Sequence, residues 1–355
     1  MIEKTEHKKI LVAPLNWGLG HATRCIPVIE ALIRYDFEPI LAGDGTSLDL
    51  LKQEFPGLRH YELPSTEVEY AKNGGLLKYK ILSQAPKFMR AVSLEKKKTL
   101  EIHKKEKLSG IISDNRFGVR LKEVPSIYIT HQLQVLSGAT SFLSTALHEQ
   151  IIGKFKECWI PDDASKGLAG KLSSPSRKTD FYKYIGPLSR FTHHEMRKEW
   201  DLLAVLSGPE PQRRMLEEKL KEQLRWYEGK SMIVRGIVEK HQKTTIEGKT
   251  TMVNYMLHRE LRDTIERSRL IISRSGYSSI MDLFTLEAKA FFIPTPGQYE
   301  QEYLAAYLKD MRYADFCSQE SFQLKKLNGS TMYKGFKHKK TSKNNLERSL
   351  FDVFS

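Results

Sequence analysis

The sequence predicts an α/β protein made of two halves, each containing a parallel sheet covered by helices. Short apolar strand patterns alternate with helical stretches along most of the chain, which is typical of parallel sheets that are buried on both faces. This alternation is interrupted around residues 161–190, where proline, serine and glycine are frequent, and then starts again. A chain of 355 residues also has room for two domains of about 150 residues each.

The first half opens with a buried-strand pattern at residues 9–14, followed by a glycine-containing turn and a helix from His21 to about Arg34. Apolar residues of that helix, such as Ile26, Ile29 and Ile33, recur every three to four positions. The remaining predictions for this half are strands at 37–42, 109–113 and 126–130 and a helix that ends near Phe55.

The second half repeats this organisation after the interruption. Its predicted elements are strands at 202–206, 231–236, 270–273 and 290–294 and a helix at 217–227. We therefore predict an N-terminal Rossmann-like domain at 1–165, a linker at 166–189, a C-terminal Rossmann-like domain at 190–330, and a basic tail with a short helix at 331–355.

The composition excludes several classes of protein. Hydrophobic residues make up 40% of the chain, which excludes a mostly disordered chain or a low-complexity fibre. Cys25, Cys158 and Cys317 are too far apart in sequence for a disulfide framework or a local zinc site, and they fit a reducing cytosol. We find no apolar run near the roughly 20 residues of a membrane span. The net charge of +14 indicates either anionic partners or a surface that favours solubility.

The first candidate site is the turn that joins the first strand to the first helix. Gly18 and Gly20 let a ligand approach the backbone closely, and the start of the helix favours an anion. His21 follows these glycines, and an imidazole pKa near neutrality suits a general base. Asp114, at the end of a later strand, is a second candidate base or a cap of the following turn.

Two further candidate segments follow strands of the second half. The first contains Arg274, Ser275, Gly276, Ser278, Ser279 and Asp282. We predict that the serines cap a helix whose backbone N–H groups face a phosphate, that Arg274 donates to it, and that Asp282 accepts hydrogen bonds from a ribose. The second follows Pro294 and contains Gln298, Gln301 and Glu302, which suit the hydroxyl groups of a sugar.

These loops, together with Ser207 and Gly208, occur in the order found in glycosyltransferase family 28, which the chain resembles from about residue 8 to residue 325. The likeness is to its GT-B members, which have two Rossmann-like domains facing a cleft, and notably to those acting on a lipid-linked peptidoglycan precursor. By this resemblance, Arg235 and Tyr255 lie where family members contact the nucleotide base. The chain departs from the family in having Asp282 where glutamate is usual, Glu302 in a glutamine pair, and Ala305 in place of an asparagine.

The resemblance implies an inverting glycosyltransferase that needs neither metal nor cofactor. Its donor would be a nucleotide-sugar, usually UDP-linked, bound mainly by the C-terminal half, and its acceptor an envelope glycan, glycolipid or lipid-linked sugar. His21 or Asp114 would take the acceptor proton. Helix N-termini and Arg274 would stabilise the leaving diphosphate in place of a metal.

Charge clustering predicts a peripheral position at the inner face of the cell membrane. Between Lys72 and Lys107 there are eleven Lys or Arg and three Glu, interleaved with apolar residues. Lys96, Lys97 and Lys98 and the basic tail after residue 331 could contact anionic lipid, although a solvated helix face explains the same pattern.

Three alternatives remain open at this point. A nucleotide-sugar epimerase can share the same fold, but it would need several carboxylates around the sugar. A non-catalytic nucleotide-sugar-binding partner of a membrane subunit would keep the donor site without transfer. A nucleic-acid binder is suggested by charge alone, without a recognised motif.

Overall fold

The computed structural model describes residues 7–65, 77–134, 141–164, 167–237, 239–336 and 345–355. These residues form two compact units. The first comprises Met1–Gly167, Lys171–Leu188 and Ser342–Ser355, and the second comprises Leu168–Gly170 and Ser189–Thr341. Residues 66–76, which include Lys72 of the basic segment, and residues 337–344 of the basic tail lie outside the described residues. No helix in the described part of the chain has the length and apolar character needed to cross a membrane.

The first unit contains a seven-stranded parallel sheet of order β3-β2-β1-β4-β5-β6-β7. Its strands are β1 Lys9–Pro14, β2 Glu38–Gly43, β3 His60–Glu62, β4 Gly110–Asp114, β5 Ser126–Ile129, β6 Glu157–Ile160 and β7 Tyr182–Tyr184. Its helices are α1 Gly20–Arg34, α2 Gly45–Glu54, α3 Leu77–Glu106, α4 Ser141–Ile152 and the C-terminal α9 Asn345–Phe354. The strand order reverses direction between β1 and β4, which are hydrogen-bonded neighbours.

The second unit contains a sheet of order β10-β11-β9-β8-β12-β13-β14, in which six strands repeat the order of β1 to β6 and β10 is an added hairpin strand. Its strands are β8 Trp200–Val205, β9 Ser231–Val234, β10 Thr244–Glu247, β11 Thr250–Val253, β12 Ser268–Ser273, β13 Ala290–Phe292 and β14 Asp315–Phe316. Its helices are α5 Gln212–Leu224, α6 His258–Glu266, α7 Tyr277–Thr285 and α8 Tyr299–Asp310, and short 3-10 helices lie at Gly170–Ser173 and Leu324–Met332. The order reverses between β8 and β12, and apart from the antiparallel β10–β11 pair the described strand pairs are parallel.

The structure differs from the predicted domain boundaries at two places. Strand β7 lies inside the predicted linker, yet it pairs with β6 and extends the first sheet, with Cys158 opposite Tyr182. The C-terminal helix α9, predicted as part of a tail, belongs to the first unit.

Phe354 explains why α9 packs on the first unit. Its ring is 4% exposed and lies edge-on to Phe37 and Trp159, with ring centroids 6.5 Å and 6.3 Å away. The ring occupies the space in front of Gly110, where an added Cβ would lie 2.2 Å from Phe354 Cε1. Lys8 Nζ also donates a hydrogen bond of 2.9 Å to the Phe354 carbonyl.

We expect Phe354→Ala to destabilise the first unit by about 3–5 kcal/mol, because it removes a buried ring and leaves a cavity. The measurement is urea unfolding. Phe351→Ala is the matched control, since Phe351 lies on the same helix but is 44% exposed, and it should cost well under half as much. Equal losses for the two variants would contradict a specific docking of α9 through Phe354.

Candidate active site

The strongest sequence candidates lie at the two points where the strand order reverses. In open parallel sheets, ligands bind beyond the carboxyl ends of the strands at such points. His21 and Asp114 lie at the carboxyl ends of β1 and β4 in the first unit. Ser207 and Arg274 follow β8 and β12 in the second unit.

Asp114 is fully buried and is held by an arginine of α1. Arg24 Nε donates to Asp114 Oδ2 at 2.5 Å, and Arg24 Nη2 donates to Oδ1. Burial alone would raise the pKa of Asp114, but the charges of Arg24 and His21 and their hydrogen bonds outweigh it and hold the pKa well below its usual range. Asp114 is therefore ionised and poorly suited to accept a proton, so the geometry does not support it as a catalytic base.

His21 is oriented by this carboxylate. His21 Nδ1 lies 2.8 Å from Asp114 Oδ1, and an ionised carboxylate can only accept hydrogen bonds, so Nδ1 carries the ring proton. The lone pair of the ring is then at Nε2. Burial and the charge of Arg24 lower the pKa of His21, although Asp114 opposes them. A neutral imidazole at neutral pH is the form that a general base requires.

Two members of this cluster were not among the sequence candidates. Arg24 is 2% exposed and His131 is 6% exposed, and Arg24 Nη1 lies 3.0 Å from His131 Nδ1. The sequence contained a signal for Arg24, since it lies three positions after His21 and residues at that spacing share a helix face. His131 follows a short strand, as Asp114 does, but nothing in the sequence pairs it with α1.

The glycine loop before His21 is ordered and has open space beside it. Gly18 adopts a φ of +66°, and a Cβ at that position would contact nothing within 4 Å. Ser47 Oγ donates to the Gly18 carbonyl at 3.2 Å, and Gly20 is the first residue of α1. The neighbouring Trp17 and Leu19 are 43% and 38% exposed. The loop therefore leaves room for a ligand beside two exposed apolar side chains.

In the second unit, Arg274 has a structural role that differs from the predicted one. Its Nη1 donates to the carbonyls of Ile293 and Pro294 at 3.0 Å each. Its Nη2 donates to the Gln212 carbonyl at 2.9 Å and to Gln319 Oε1 at 2.6 Å. Burial lowers the pKa of Arg274 to about 10. With four N–H groups committed to protein acceptors and 1% exposure, Arg274 holds loops together and is not positioned to bind a diphosphate.

Ser278 and Ser279, which were predicted to cap α7, lie inside the helix and do not cap it. The N-cap of α7 is Gly276, which has no side-chain cap. Ser275 is fully buried and donates from Oγ to the Gln301 carbonyl at 2.7 Å. A Cβ at Gly276 would contact nothing within 4 Å, so there is open space beside this N-cap residue.

The amide side chains after β13 hold their own loop. Gln301 Nε2 donates to Gln298 Oε1 at 2.5 Å, and the Thr295 N–H donates to Gln301 Oε1 at 2.9 Å. Glu302 Oε1 accepts from the Gly297 N–H at 3.2 Å. These groups stabilise the turn that leads into α8, and their contact with a sugar stays a prediction. Ala305 is fully buried.

Arg235, Ser207 and Gly208 are at least partly exposed at the carboxyl ends of β8 and β9. Arg235 Nε donates to Glu217 Oε1 at 2.7 Å, and its side chain is 37% exposed. Ser207 and Gly208 are exposed. Gly236 has a φ of +70°, and a Cβ there would lie 2.4 Å from the Leu206 carbonyl, so the loops after β8 and β9 are in close contact. Tyr255 is half-buried. Its backbone carbonyl accepts a hydrogen bond from Gln242 Nε2, and its backbone N–H donates to Asn254 Oδ1.

Asp282 is in an environment that disfavours its charge. Its Oδ1 accepts a hydrogen bond from Ser189 Oγ at 2.6 Å. Burial raises the pKa of Asp282 to about 6, although Arg190 and the Ser189 hydrogen bond oppose the shift. Carboxylates with perturbed pKa values are frequent at functional sites.

The sequence of the second unit matches a known family over most of its length. Residues 211–351 match the glycosyltransferase family 28 C-terminal domain. This part of the chain is therefore similar to that domain. The matched residues include Arg235, Arg274, Asp282 and Gln301. No curated protein matches the chain significantly in sequence.

Solved structures of glycosyltransferases share the fold of the chain. The glycotransferase of kitacinnamycin is 13% identical with a TM-score of 0.64, over 92% of this chain and 90% of that chain. MurG of Acinetobacter baumannii is 14% identical with a TM-score of 0.59, over 98% and 99%. The spinosyn rhamnosyltransferase SpnG complexed with thymidine diphosphate is 13% identical with a TM-score of 0.62, over 98% and 96%. The predicted GT-B fold and the glycosyltransferase class are therefore confirmed.

We expect Asp282→Asn to stabilise the second unit above pH 7 and to have little effect below pH 4. The raised pKa means that the folded state holds a proton that the unfolded state releases at about pH 4. The stability that protonation gives is therefore present below that pH and is lost as the pH rises through about 6. The gain at pH 8 should be at most about 2–3 kcal/mol.

Melting temperatures of both proteins between pH 4 and 8 measure this effect. The amide oxygen of the substituted side chain can still accept the Ser189 hydrogen bond, so the variant changes mainly the charge. A loss of stability at pH 8 would mean that the carboxylate is stabilised by Arg190 more than it is penalised by burial.

Proposed function

We propose that this protein is an inverting, metal-independent glycosyltransferase with His21 as its general base. It moves a hexose or N-acetylhexosamine from a nucleotide-sugar to a hydroxyl group of its acceptor. The observation that supports this most strongly is the hydrogen bond from His21 Nδ1 to Asp114, whose charge is held by Arg24. This arrangement leaves the lone pair of Nε2 to take a proton.

The proposed reaction is a single displacement at the anomeric carbon. His21 Nε2 takes the proton of the acceptor hydroxyl while its oxygen forms the new bond to the anomeric carbon. The bond from that carbon to the diphosphate oxygen breaks, and the nucleoside diphosphate leaves with the electron pair. Because attack comes from the opposite side, the configuration is inverted. Negative charge grows on the diphosphate, where the N-terminus of α7 would stabilise it.

We propose the second unit as the donor site. The open space beside Gly276 and the exposed Ser207–Gly208 loop support binding of the diphosphate there. Arg235 supplies a partly exposed positive charge at the same sheet edge, a role that Arg274 cannot fill. UDP is our first candidate nucleotide, and thymidine diphosphate is the second because it occupies the similar structure of SpnG.

For the acceptor we propose a glycan, glycolipid or lipid-linked sugar of the cell envelope. The exposed Trp17 and Leu19 beside His21 support an acceptor with an apolar part. Such an acceptor would place the enzyme in the cytoplasm, at the inner face of the membrane.

We expect His21→Ala to abolish transfer without weakening donor binding. Loss of a general base typically costs about 10²- to 10⁴-fold in rate. Melting temperatures with UDP, thymidine diphosphate, GDP, CDP and several UDP-sugars, without added metal, identify the nucleotide, since a ligand of the folded state raises the melting temperature. Release of nucleoside diphosphate from the matching sugar donor then measures turnover.

His60→Ala is the matched control, because His60 is an exposed histidine on β3 of the same unit. His60→Ala should leave unchanged both the rise in melting temperature with nucleotide and the release of nucleoside diphosphate. Retained turnover in His21→Ala would exclude His21 as the base. Stabilisation by a nucleotide without turnover in the wild type would favour a non-catalytic binding partner, and turnover of the donor to an epimer would favour an epimerase.

One face of α3 supports the proposed contact with anionic lipid. Met89 and Leu100 are 61% and 36% exposed on this face, and the exposed Lys96, Lys97 and Lys104 lie beside them. Helical neighbours at three, four and seven positions share a face. Lys98 contributes less, since it donates to Glu101 at 3.1 Å.

We expect replacement of Lys96, Lys97 and Lys104 by glutamate to weaken binding to phosphatidylglycerol vesicles by at least about tenfold, because each cation near such a surface contributes about 1 kcal/mol. Co-sedimentation with the vesicles measures this. Glutamate at the exposed Lys240, Lys249 and Lys325 makes the same charge change in the second unit. If both triple variants bind equally, α3 is not the docking surface.

A further inference from the structure

The structure assigns a positioning role to Arg24. We propose that Arg24 fixes His21 and His131 in opposite tautomers, so that His21 carries its proton on Nδ1 and His131 carries its proton on Nε2. The catalytic consequence rests on the proposed function, whereas the two tautomers do not depend on it.

The tautomer of His131 follows from the chemistry of the guanidinium group. Arginine side chains remain protonated in proteins, so Arg24 can only donate hydrogen bonds. Its Nη1 lies 3.0 Å from His131 Nδ1, so this ring nitrogen must accept and cannot carry a proton. The proton of a neutral His131 ring is then on Nε2. Because both side chains are nearly fully buried, water has little access to replace this contact.

The tautomer of His21 is opposite because a carboxylate lies between it and Arg24. Asp114 Oδ1 accepts from His21 Nδ1 and from Arg24 Nη2. Arg24 Nη2 also lies 2.9 Å from His21 Nδ1. These two nitrogens are therefore neighbouring donors, and both donate to Asp114 Oδ1. This arrangement is stable only while Asp114 is charged, and Arg24 maintains that charge.

Arg24 also opposes a second proton on the His21 ring. The charged and titratable groups that face His21 are Arg24, Asp114 and His131. A proton added to His21 would introduce a positive charge beside the guanidinium group. Arg24 thus keeps His21 neutral to lower pH than Asp114 alone would allow, and under the proposed function this extends the range in which His21 can act as a base.

The direct test is long-range 1H–15N NMR of the full chain labelled with 15N-histidine, which distinguishes the two tautomers. His21→Gln and His131→Gln assign the signals. At pH 7 we expect the Nδ1–H pattern for His21 and the Nε2–H pattern for His131. A Nδ1–H pattern for His131, or the same tautomer for both rings, would overturn the proposal. No substrate is needed, so this result is independent of whether the protein transfers sugar.

Arg24→Lys and Arg24→Gln separate positioning from a purely structural role. Lysine keeps the charge but lacks the planar set of donors, so we expect His21 to keep its tautomer and His131 to become a mixture. Glutamine removes the charge, and the titration midpoint of His21 should rise by about one pH unit or more. If Arg24 only stabilises the fold, neither the His131 tautomer nor the His21 midpoint will move. Should Arg24→Gln fail to fold, the tautomers of the wild type and of Arg24→Lys decide the question.

Discussion

The ion pair between Arg24 and Asp114 is the interaction on which the carboxyl edge of the first sheet depends. Both side chains are almost completely buried, and a buried charge is tolerated only when it is paired and hydrogen-bonded. The pair joins the first turns of α1 to the last residue of β4. It thereby holds the glycine loop between β1 and α1 in place and orients His21, the residue that this loop presents. The same ion pair therefore stabilises the fold and orients the proposed catalytic base.

Buried arginines support the loops of both units in a similar way. In the first unit, Arg116 donates to the Pro64 carbonyl at 2.8 Å and to Asp44 at 2.6 Å. In the second unit, Arg274 donates to three backbone carbonyls. Loops at the ends of parallel strands have unpaired carbonyls, and a guanidinium group satisfies several of them at once. Gly18 and Gly276, at the same sheet edges, have open space beside them where a ligand can approach the backbone.

Much of the fold could be predicted from the sequence because buried parallel strands form short continuous apolar runs, and β1, β4, β8 and β12 all have this pattern. The location of His21 and Asp114 followed from the same runs, since Asp114 ends one of these strands and His21 follows the turn after another. The role of Arg274 could not be predicted, because a sequence does not show whether a donor faces a ligand or backbone carbonyls. Strand β7 was missed because it is a half-buried edge strand of three residues. The docking of α9 depends on contacts with residues more than 190 positions away, such as Trp159.

A double-mutant cycle on the ion pair measures its importance most directly. The free energies of unfolding of the wild type, Arg24→Gln, Asp114→Asn and the double variant are compared under identical conditions. If each charge is buried only because the other compensates it, each single variant should lose about 3–5 kcal/mol, and the double variant should lose far less than the sum. Losses that add to within about 0.5 kcal/mol would show that the two residues act independently. That result would contradict the central role of the pair in organising His21.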